Sequence, residues 1–388
     1  MKYKNFIILL ALICVWTSFF WVYKYFFWWL LKENLSLTLE QIAWYLALGS
    51  FFAYLFWSFI YTLLKEQWSV ICASFWVIMI LSLWYLKWFT SIDSIAIISI
   101  WVWFFYGYWG VLKNIVISQE IEYTGKSDTF INGFANIAFF VSIIIGSIAW
   151  WKLAESLHTD GVFWIFIIMV FAILLWTSIK QSGWASFKDI GTHWKDYIKN
   201  YFPNFLTVIK SNVAIMLISS MYLVVATILS QKSIEYSVMH LWKTGSQASF
   251  LLLYSAIWTI LGNLLTMKIH KRWQWASTLT LIFALLIFVF PFMMKDFFVT
   301  SILATLAWFF FGTNYNLCES YLLLKIGKQG KRDYGAASYG IVSSVCLFWC
   351  MFLTFHLEKM LWFQAIFILW GSVIVFISFI LHFFQNDL

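Results

Sequence analysis

Apolar runs of about 20 residues recur along the whole chain and are separated by short polar stretches. A helix of about 20 residues crosses the hydrocarbon core of a bilayer, because each residue adds about 1.5 Å to its length. The pattern therefore predicts twelve transmembrane helices, near residues 5–29, 39–63, 69–89, 93–117, 130–152, 161–180, 212–231, 245–267, 276–294, 297–324, 335–356 and 361–384.

The hydrophilic segment 181–211 separates the sixth predicted helix from the seventh. It carries mixed charge and one of the two prolines, and it predicts a linker that contains a short interfacial helix near 194–202. The chain is accordingly divided into an N-terminal six-helix bundle (1–180), the linker (181–211) and a C-terminal six-helix bundle (212–388).

Composition supports the membrane assignment. Of the 388 residues 63% are hydrophobic and 11% are charged, with a mean hydropathy of +0.83. A soluble domain has about 25% charged residues, so this chain lacks the polar groups to cover a surface in water. The fold class predicted is an all-α polytopic membrane protein.

The distribution of basic residues predicts the orientation. If both termini lie on one side, that side collects 16 Lys and Arg residues against 8 on the other, with Lys113 inside a helix. Cytoplasmic loops carry the excess of positive charge, so we expect both termini and the linker in the cytoplasm, and the protein in the cytoplasmic membrane. This asymmetry accounts for the net charge of +8 and requires no nucleic-acid partner.

An internal repeat relates the two halves. With an offset of 205 residues, "FFYG" at 104–107 aligns with "FFFG" at 309–312, Trp68 with Trp273, and "GKSD" with "GKRD". One shared offset over five helices of each half indicates two parallel repeats related by an axis along the membrane normal, as in transporters that rock two bundles about a central site.

Twelve helices, a 6+6 parallel repeat and a central linker resemble the major facilitator superfamily over essentially the full length. The loops "WSFIYTLLKEQWSV" (57–70) and "GNLLTMKIHKRWQW" (262–275) are similar to the family's glycine-rich and basic loop motif. Lys65 and His270 stand where that motif has Asp, and Trp68 and Trp273 where it has its closing Gly. The resemblance implies a secondary transporter whose helices one, four, seven and ten line a central cavity.

The 27 tryptophans are unusual beside only 17 glycines, because membrane helices use glycine for close packing. Many of them, such as Trp57 and the pair Trp150–Trp151, lie well inside helices rather than at interfaces. Read as glycines, they restore the loop motif and a typical fifth helix of the superfamily. We interpret most of them as glycines in the cell, in a bacterium that reads UGA as glycine, against the alternative of a truly tryptophan-rich protein.

Charged residues within membrane helices are costly and are functional candidates by default. Lys24, Lys113 and Glu319 are such residues, in helices one, four and ten. Position 113 aligns with 318 at the repeat offset, so Lys113 and Glu319 are predicted to lie at equal depth and to pair across the halves, closing the cytoplasmic side. Glu319 is also the candidate carrier of a coupling proton, since a carboxyl group taken out of water binds protons more readily. The alternative is that these side chains only extend to the interface.

Further polar residues complete the set of candidates. Asn314 and Asn316 in helix ten are candidates for substrate contact, and Asn132 and Asn136 in helix five share one face; interhelical hydrogen bonding is the alternative for these amides. The cytoplasmic gating candidates are Lys113, Glu319, Lys126, Asp128, Lys331 and Asp333. Such loops also meet anionic lipid.

The sequence thus predicts a monomeric transporter of a small solute, coupled to protons, with membrane lipid as its surroundings and without a cofactor. A lipid-modifying membrane enzyme and a non-transporting receptor or scaffold are the alternatives, and no catalytic residues are predicted. Cys346 and Cys350 lie one helical turn apart, but no His or carboxylate joins them, so they are interpreted as packing residues and no metal site is predicted.

Overall fold

The computed structural model describes residues 126–156, 187–239, 241, 245–269, 272–293, 296–360 and 363–383. It also describes ten positions between 110 and 123 and five positions of the first predicted span, which are Ile7, Leu10, Ile13, Cys14 and Thr17. The predicted helices two, three and six lie outside the described residues. The described residues form helices and a few turn positions, without a strand among them.

Seven helices follow one another in the described part of the chain: α1 (Asp128–Ser156), α2 (Phe187–Met239), α3 (Gly245–Thr266), α4 (Arg272–Met293), α5 (Phe297–Lys328), α6 (Arg332–Met360) and α7 (Phe363–Phe383). They correspond to predicted helix five and to predicted helices seven to twelve. Six segments of them, in α1, α2, α4, α5, α6 and α7, are long and apolar enough to cross a membrane. The all-helical membrane fold predicted from the hydrophobic pattern is therefore confirmed.

Helix α2 is longer than the sequence pattern predicts. It begins at Phe187 and continues for 53 residues, so most of the predicted linker is one continuous helix with the seventh span. Within this extension Tyr201 is buried against the ring of Tyr334, with ring centroids 5.6 Å apart. Asn212 Nδ2 donates to Gln329 Oε1 over 3.2 Å. Because both partners belong to the turn between α5 and α6 or to the start of α6, the extension is held against this end of the C-terminal half.

Close backbone contact holds α3 against α5. A Cβ atom on Gly262 would lie 2.3 Å from the carbonyl oxygen of Phe309, and one on Gly312 would lie 2.7 Å from the carbonyl oxygen of Thr259. Real Cβ atoms do not approach backbone this closely, so both positions need glycine. Small residues at helix contacts drive packing in membranes, where the apolar lipid provides no hydrophobic driving force between helices.

The turn between α5 and α6 is also shaped by glycine. Gly330 has φ of 67°, in the left-handed region that costs a residue with a Cβ atom extra energy. Its amide donates to the carbonyl of Gly327, and the amide of Gln329 donates to the carbonyl of Lys325. These bonds end α5 and reverse the chain so that α6 returns alongside it.

The N-terminal half meets the C-terminal half near this same turn. Ser118 Oγ, one residue beyond the fourth predicted helix (93–117), donates to the carbonyl of Leu323 in α5 over 3.1 Å. Positions 118 and 323 are separated by 205 residues, the repeat offset, and such a contact is expected of equivalent positions beside the axis that relates two repeats. The start of α1 packs against the end of α3, where a Cβ atom on Gly133 would lie 2.7 Å from Cε of Met267.

Candidate gating and coupling site

Glu319 occupies the contact between the two halves. Its side chain is 1% exposed, in the second half of α5. One carboxylate oxygen, Oε2, accepts hydrogen bonds from Asn132 Nδ2 at 3.0 Å and from Asn136 Nδ2 at 3.1 Å, both in α1. The other oxygen, Oε1, accepts from the hydroxyl of Tyr315 at 2.7 Å. The carboxyl group is thus held by one donor of its own helix and two donors of the other half.

Helical periodicity explains why these side chains meet. Asn132 and Asn136 are four residues apart and share one face of α1, while Asn316 and Glu319 are three residues apart on one face of α5. All four are buried, with 3% exposure or less. The two faces oppose each other where α1 crosses α5, so that amides of the first half point at oxygens of the second.

Asn316 extends the network to a third helix. Its Oδ1 accepts from Asn132 Nδ2 at 2.9 Å, and its Nδ2 donates to Thr266 Oγ1 at the end of α3 and to the carbonyl of Thr129. Asn132 Nδ2 therefore serves two acceptors at once, while its Oδ1 has no donor among the described residues. The sequence predicted Asn316 as a candidate for substrate contact, and in this conformation it ties α1, α3 and α5 together.

A chain of hydroxyl groups leads from Glu319 across the C-terminal half. The hydroxyl of Tyr339 in α6 donates to that of Tyr315 at 3.2 Å, and it lies 2.8 Å from Ser219 Oγ in α2. Tyr339 is 3% exposed and Ser219 is fully buried. Glu319 is consequently connected to α2 and α6 as well as to the first half, and a change at the carboxyl group affects four helices.

The electrostatics of Glu319 are determined by neutral groups. Its hydrogen-bond partners are two amides and one phenol, and no Lys, Arg or His of the described residues forms an ion pair with it. An isolated buried charge is very costly, and hydrogen bonds to the charged form offset part of that cost.

Lys113 is close to this network without joining it. Its Nζ lies over the ring of Phe139, 5.8 Å from the centroid, in a cation–π contact. Phe139 lies about one helical turn beyond Asn136, one of the two amides that bind Glu319. Lys113 and Glu319, both of them described, form no ion pair in this conformation, and their pairing stays a prediction.

The predicted loop residues lie at the same end of the molecule. Lys126 is exposed just before α1, with Nζ 5.7 Å from the centroid of the Phe130 ring, and Asp128 is the first residue of α1 and is buried. Lys331 is half-buried just before α6, and Asp333 is in its first turn. Their gating role stays a prediction.

The sequence did not predict the ion pair that the structure forms at this end. Arg332 Nη2 binds Glu122 Oε2, joining the helical residues that follow the fourth predicted helix (93–117) to the start of α6. Glu122 is 66% exposed, so the pair is solvated and contributes little stability by itself. It crosses between the halves at the end where Ser118 contacts Leu323.

The remaining candidates are separate from the network. Lys24 lies outside the described residues. Asn314 is fully buried in α5, and within the described part of the chain neither of its amide atoms has a hydrogen-bond partner. It is two residues from Asn316, and residues two apart on a helix point in different directions, so it faces away from Glu319.

Sequence reasoning assigned Asn132 and Asn136 a lesser role and did not name Tyr315 and Tyr339. The signal for Tyr315 was available, since it precedes Glu319 by four residues and so shares its helix face. Tyr339 offered no such signal, because its contact with Tyr315 depends on how α6 packs beside α5.

Solved structures similar in fold to this chain are transporters. The proton:xylose symporter XylE of the major facilitator superfamily has a TM-score of 0.70 and 12% identity, with 99% of this chain and 96% of that chain covered. The E. coli fucose:proton symporter FucP has a TM-score of 0.68 at 12% identity, with coverage of 99% and 100%. The human organic anion transporter MFSD10 has a TM-score of 0.65 at 12% identity, with 97% of each chain covered.

No protein-family model and no curated protein matches the sequence. At 12% identity the structural likenesses establish the fold, which is that of the major facilitator superfamily transporters.

Proposed function

We propose that this protein is a secondary active transporter that moves a small solute across the cytoplasmic membrane by alternating access between its two six-helix halves. The observation that carries this proposal is the buried network at Glu319, in which amides of the first half bind a carboxyl group of the second. The fold it shares with the sugar–proton symporters FucP and XylE supports the same function.

Glu319 combines a gating role with a coupling role. In this conformation two of its three hydrogen bonds cross between the halves and hold this end of the cavity closed. A bound proton removes an acceptor site from the carboxyl group and weakens those bonds. Protonation thereby favours separation of α1 from α5 at this end, which links the conformational change to a proton gradient. Lys113, whose ammonium group contacts Phe139 of α1, is the candidate partner of Glu319 in another state of the cycle.

The positive-inside distribution places the closed end, both termini and the predicted linker in the cytoplasm. The conformation is then closed toward the cytoplasm. Lys126, Asp128, Lys331 and Asp333 lie at that end, where they can form alternative ion pairs as the halves move. Lys24, Asn314 and Asn316 remain candidates for substrate contact, and we expect the chain to work as a monomer surrounded by lipid.

Uptake into proteoliposomes tests the function. D-xylose and L-fucose are the first solutes to test, since XylE and FucP carry such sugars, and a wider screen by thermal stabilisation of the purified protein follows. We expect uptake that is driven by an inward proton gradient and is lost in Glu319→Gln, which retains hydrogen bonds but cannot carry a proton. Glu122→Gln is the matched control, since that carboxylate is solvated, and it retains uptake. Gradient-driven uptake that persists in Glu319→Gln contradicts the coupling role.

The two alternatives make different predictions. A lipid-modifying enzyme changes the composition of the liposome membrane, whereas a receptor or scaffold binds its ligand without moving it across the bilayer. A ligand that stabilises the protein and is not accumulated under any gradient would favour the receptor.

We also propose that most of the tryptophans are glycines in the cell. Gly262 supports this, because its helix contact has no space for a Cβ atom and its repeat equivalent is Trp57. By contrast, Trp370 is buried and donates from Nε1 to Thr354 Oγ1 at 3.0 Å, an arrangement that uses the indole. The coding DNA decides the matter, since UGG codons at Trp57, Trp68, Trp150 and Trp151 would exclude the hypothesis; the intact mass of the native protein gives an independent answer.

A further inference from the structure

Three sulfur-containing residues pack against the core where α6 meets α2. Cys350 Sγ lies 4.0 Å from Sδ of Met221, and Cys346 is one helical turn before Cys350 on the same side of α6. Both thiols are free. Cys346 and Cys350 lie near the middle of α6, so this sulfur cluster is close to the centre of the membrane.

The distance between Cys350 Sγ and Met221 Sδ matches the spacing of two sulfur ligands around one metal ion. With a metal–sulfur bond of about 2.3 Å, two sulfurs of a planar three-coordinate site lie about 4.0 Å apart. The contact of Cys350 with Met221 has this separation. Side chains one helical turn apart have Cβ atoms about 5–6 Å apart, and a rotation about χ1 brings the two thiols to one ion.

We propose that Cys346, Cys350 and Met221 form a binding site for a soft monovalent cation of the Cu(I) or Ag(I) type. Thiolates and thioethers select such ions over hard cations. Binding deprotonates one cysteine, and the released proton leaves to solvent, so that one thiolate and one monovalent cation form a neutral complex. Neutrality matters at this depth, since a net charge near the bilayer centre is costly.

A divalent ion fits the site less well. Zn²⁺ in a structural site takes four ligands, and neutrality would require both cysteines to ionise. Among the described residues no group of three or more His, Cys, Asp or Glu is placed to hold a metal. The sequence search for a metal set considered only His and carboxylate partners for the cysteine pair, and for that reason it did not find the thioether of Met221 on another helix.

Cys346 and Cys350 are half-buried, and the neighbouring Trp349 is 59% exposed, so the thiols lie at the edge of the core. Cys318 in α5 is instead fully buried. It provides a matched control, because it is a cysteine of the same half that lies outside the cluster and outside any disulfide.

Binding of Cu(I) to the purified full-length protein in detergent tests this site. Under reducing, oxygen-free conditions, competition with a chromogenic Cu(I) chelator is expected to show one ion per chain. Cys346→Ser and Cys350→Ser should each weaken binding about tenfold or more, as ligand loss does. Cys318→Ser should bind as the wild type does. X-ray absorption is expected to show sulfur at about 2.3 Å, with one sulfur fewer in Met221→Leu.

The proposal is overturned if the Cys346→Ser/Cys350→Ser double variant binds Cu(I) as the wild type does, or if Cys318→Ser loses affinity equally. A first shell of nitrogen or oxygen would also overturn it. If the cysteine variants fail to fold, Met221→Leu provides the test, because this substitution conserves volume. An unchanged number of sulfur ligands in Met221→Leu would exclude the thioether as a ligand. The result is independent of transport activity.

Discussion

Replacing Glu319 with leucine is expected to open the contact between the two halves. Leucine cannot accept a hydrogen bond, so three donors lose their acceptor, namely Asn132 Nδ2, Asn136 Nδ2 and the hydroxyl of Tyr315. The first two belong to the N-terminal half, and their bonds exist only while the halves meet. The substitution therefore acts on the equilibrium between conformations as well as on stability.

The free-energy cost of the substitution depends on which hydrogen-bond acceptors each asparagine amide keeps. Asn132 Nδ2 keeps a second acceptor, Asn316 Oδ1 at 2.9 Å, so its loss is close to the average of about 0.6 kcal/mol per interhelical hydrogen bond in membranes. Asn136 Nδ2 has no other acceptor among the described residues, and a buried donor left unsatisfied costs about 1–3 kcal/mol. Together they give about 2 kcal/mol, which changes the ratio of closed to open conformations roughly 30-fold.

Glu319→Gln is the matched variant. Its amide oxygen can accept from both asparagines while its amide nitrogen donates to the oxygen of Tyr315, so all three contacts persist with one reversed. A neutral amide accepts weaker hydrogen bonds than a carboxylate, so we expect the contact to open less in Glu319→Gln than in Glu319→Leu. Proton coupling, in contrast, is lost in both.

Spin labels at Lys126 and Lys328 report the opening, because both side chains are exposed and lie on different halves at this end. In Glu319→Leu the distance distribution should gain a longer component that is minor in the wild type. An unchanged distribution in Glu319→Leu would refute the assignment of Glu319 as the tie between the halves. Opening of the same extent in Glu319→Gln would show that charge, rather than hydrogen bonding, maintains the contact.

Three further outcomes are expected. Gly262→Ala should lower the free energy of unfolding by about 1–3 kcal/mol or more, since its Cβ atom would lie 2.3 Å from a backbone oxygen. The thermal unfolding midpoint should fall accordingly. Leu264→Ala, at an exposed position of α3, should change the midpoint little. Glu358→Gln should destabilise the protein strongly, because the buried Lys232, 2% exposed, loses the carboxylate of Glu358. The double variant Lys232→Met/Glu358→Leu removes both charges and should recover most of the lost stability in the same melting assay. Arg332→Gln should shift the spin-label equilibrium by less than about 1 kcal/mol, and the difference from wild type should vanish in high salt.

Local patterns in the sequence were sufficient to locate the described helices. The predicted helix 245–267 is observed as Gly245–Thr266, and 297–324 as Phe297–Lys328. The bilayer makes this possible, because backbone groups in hydrocarbon must be paired within the segment and apolar length therefore indicates a helix. The same reasoning failed at Phe187–Met239, where a polar helix continues the seventh span. Its polar part carries no membrane signal and is held by contacts such as that of Tyr201 with Tyr334.

The sequence alone also identified Glu319 as a charged residue within the tenth helix, since few charges occur in apolar runs. Whether its side chain is buried or extends to the interface was decided by the structure. Its partners were decided only by the tertiary structure. Lys113 was predicted as the partner of Glu319 because the two residues lie at equal depth in the membrane. Depth does not determine the direction in which each side chain points from its helix. The crossing of α1 over α5 brings Asn132 and Asn136 to the carboxyl group and leaves Lys113 against Phe139. Periodicity determines which residues share a face, and packing between helices determines which faces meet.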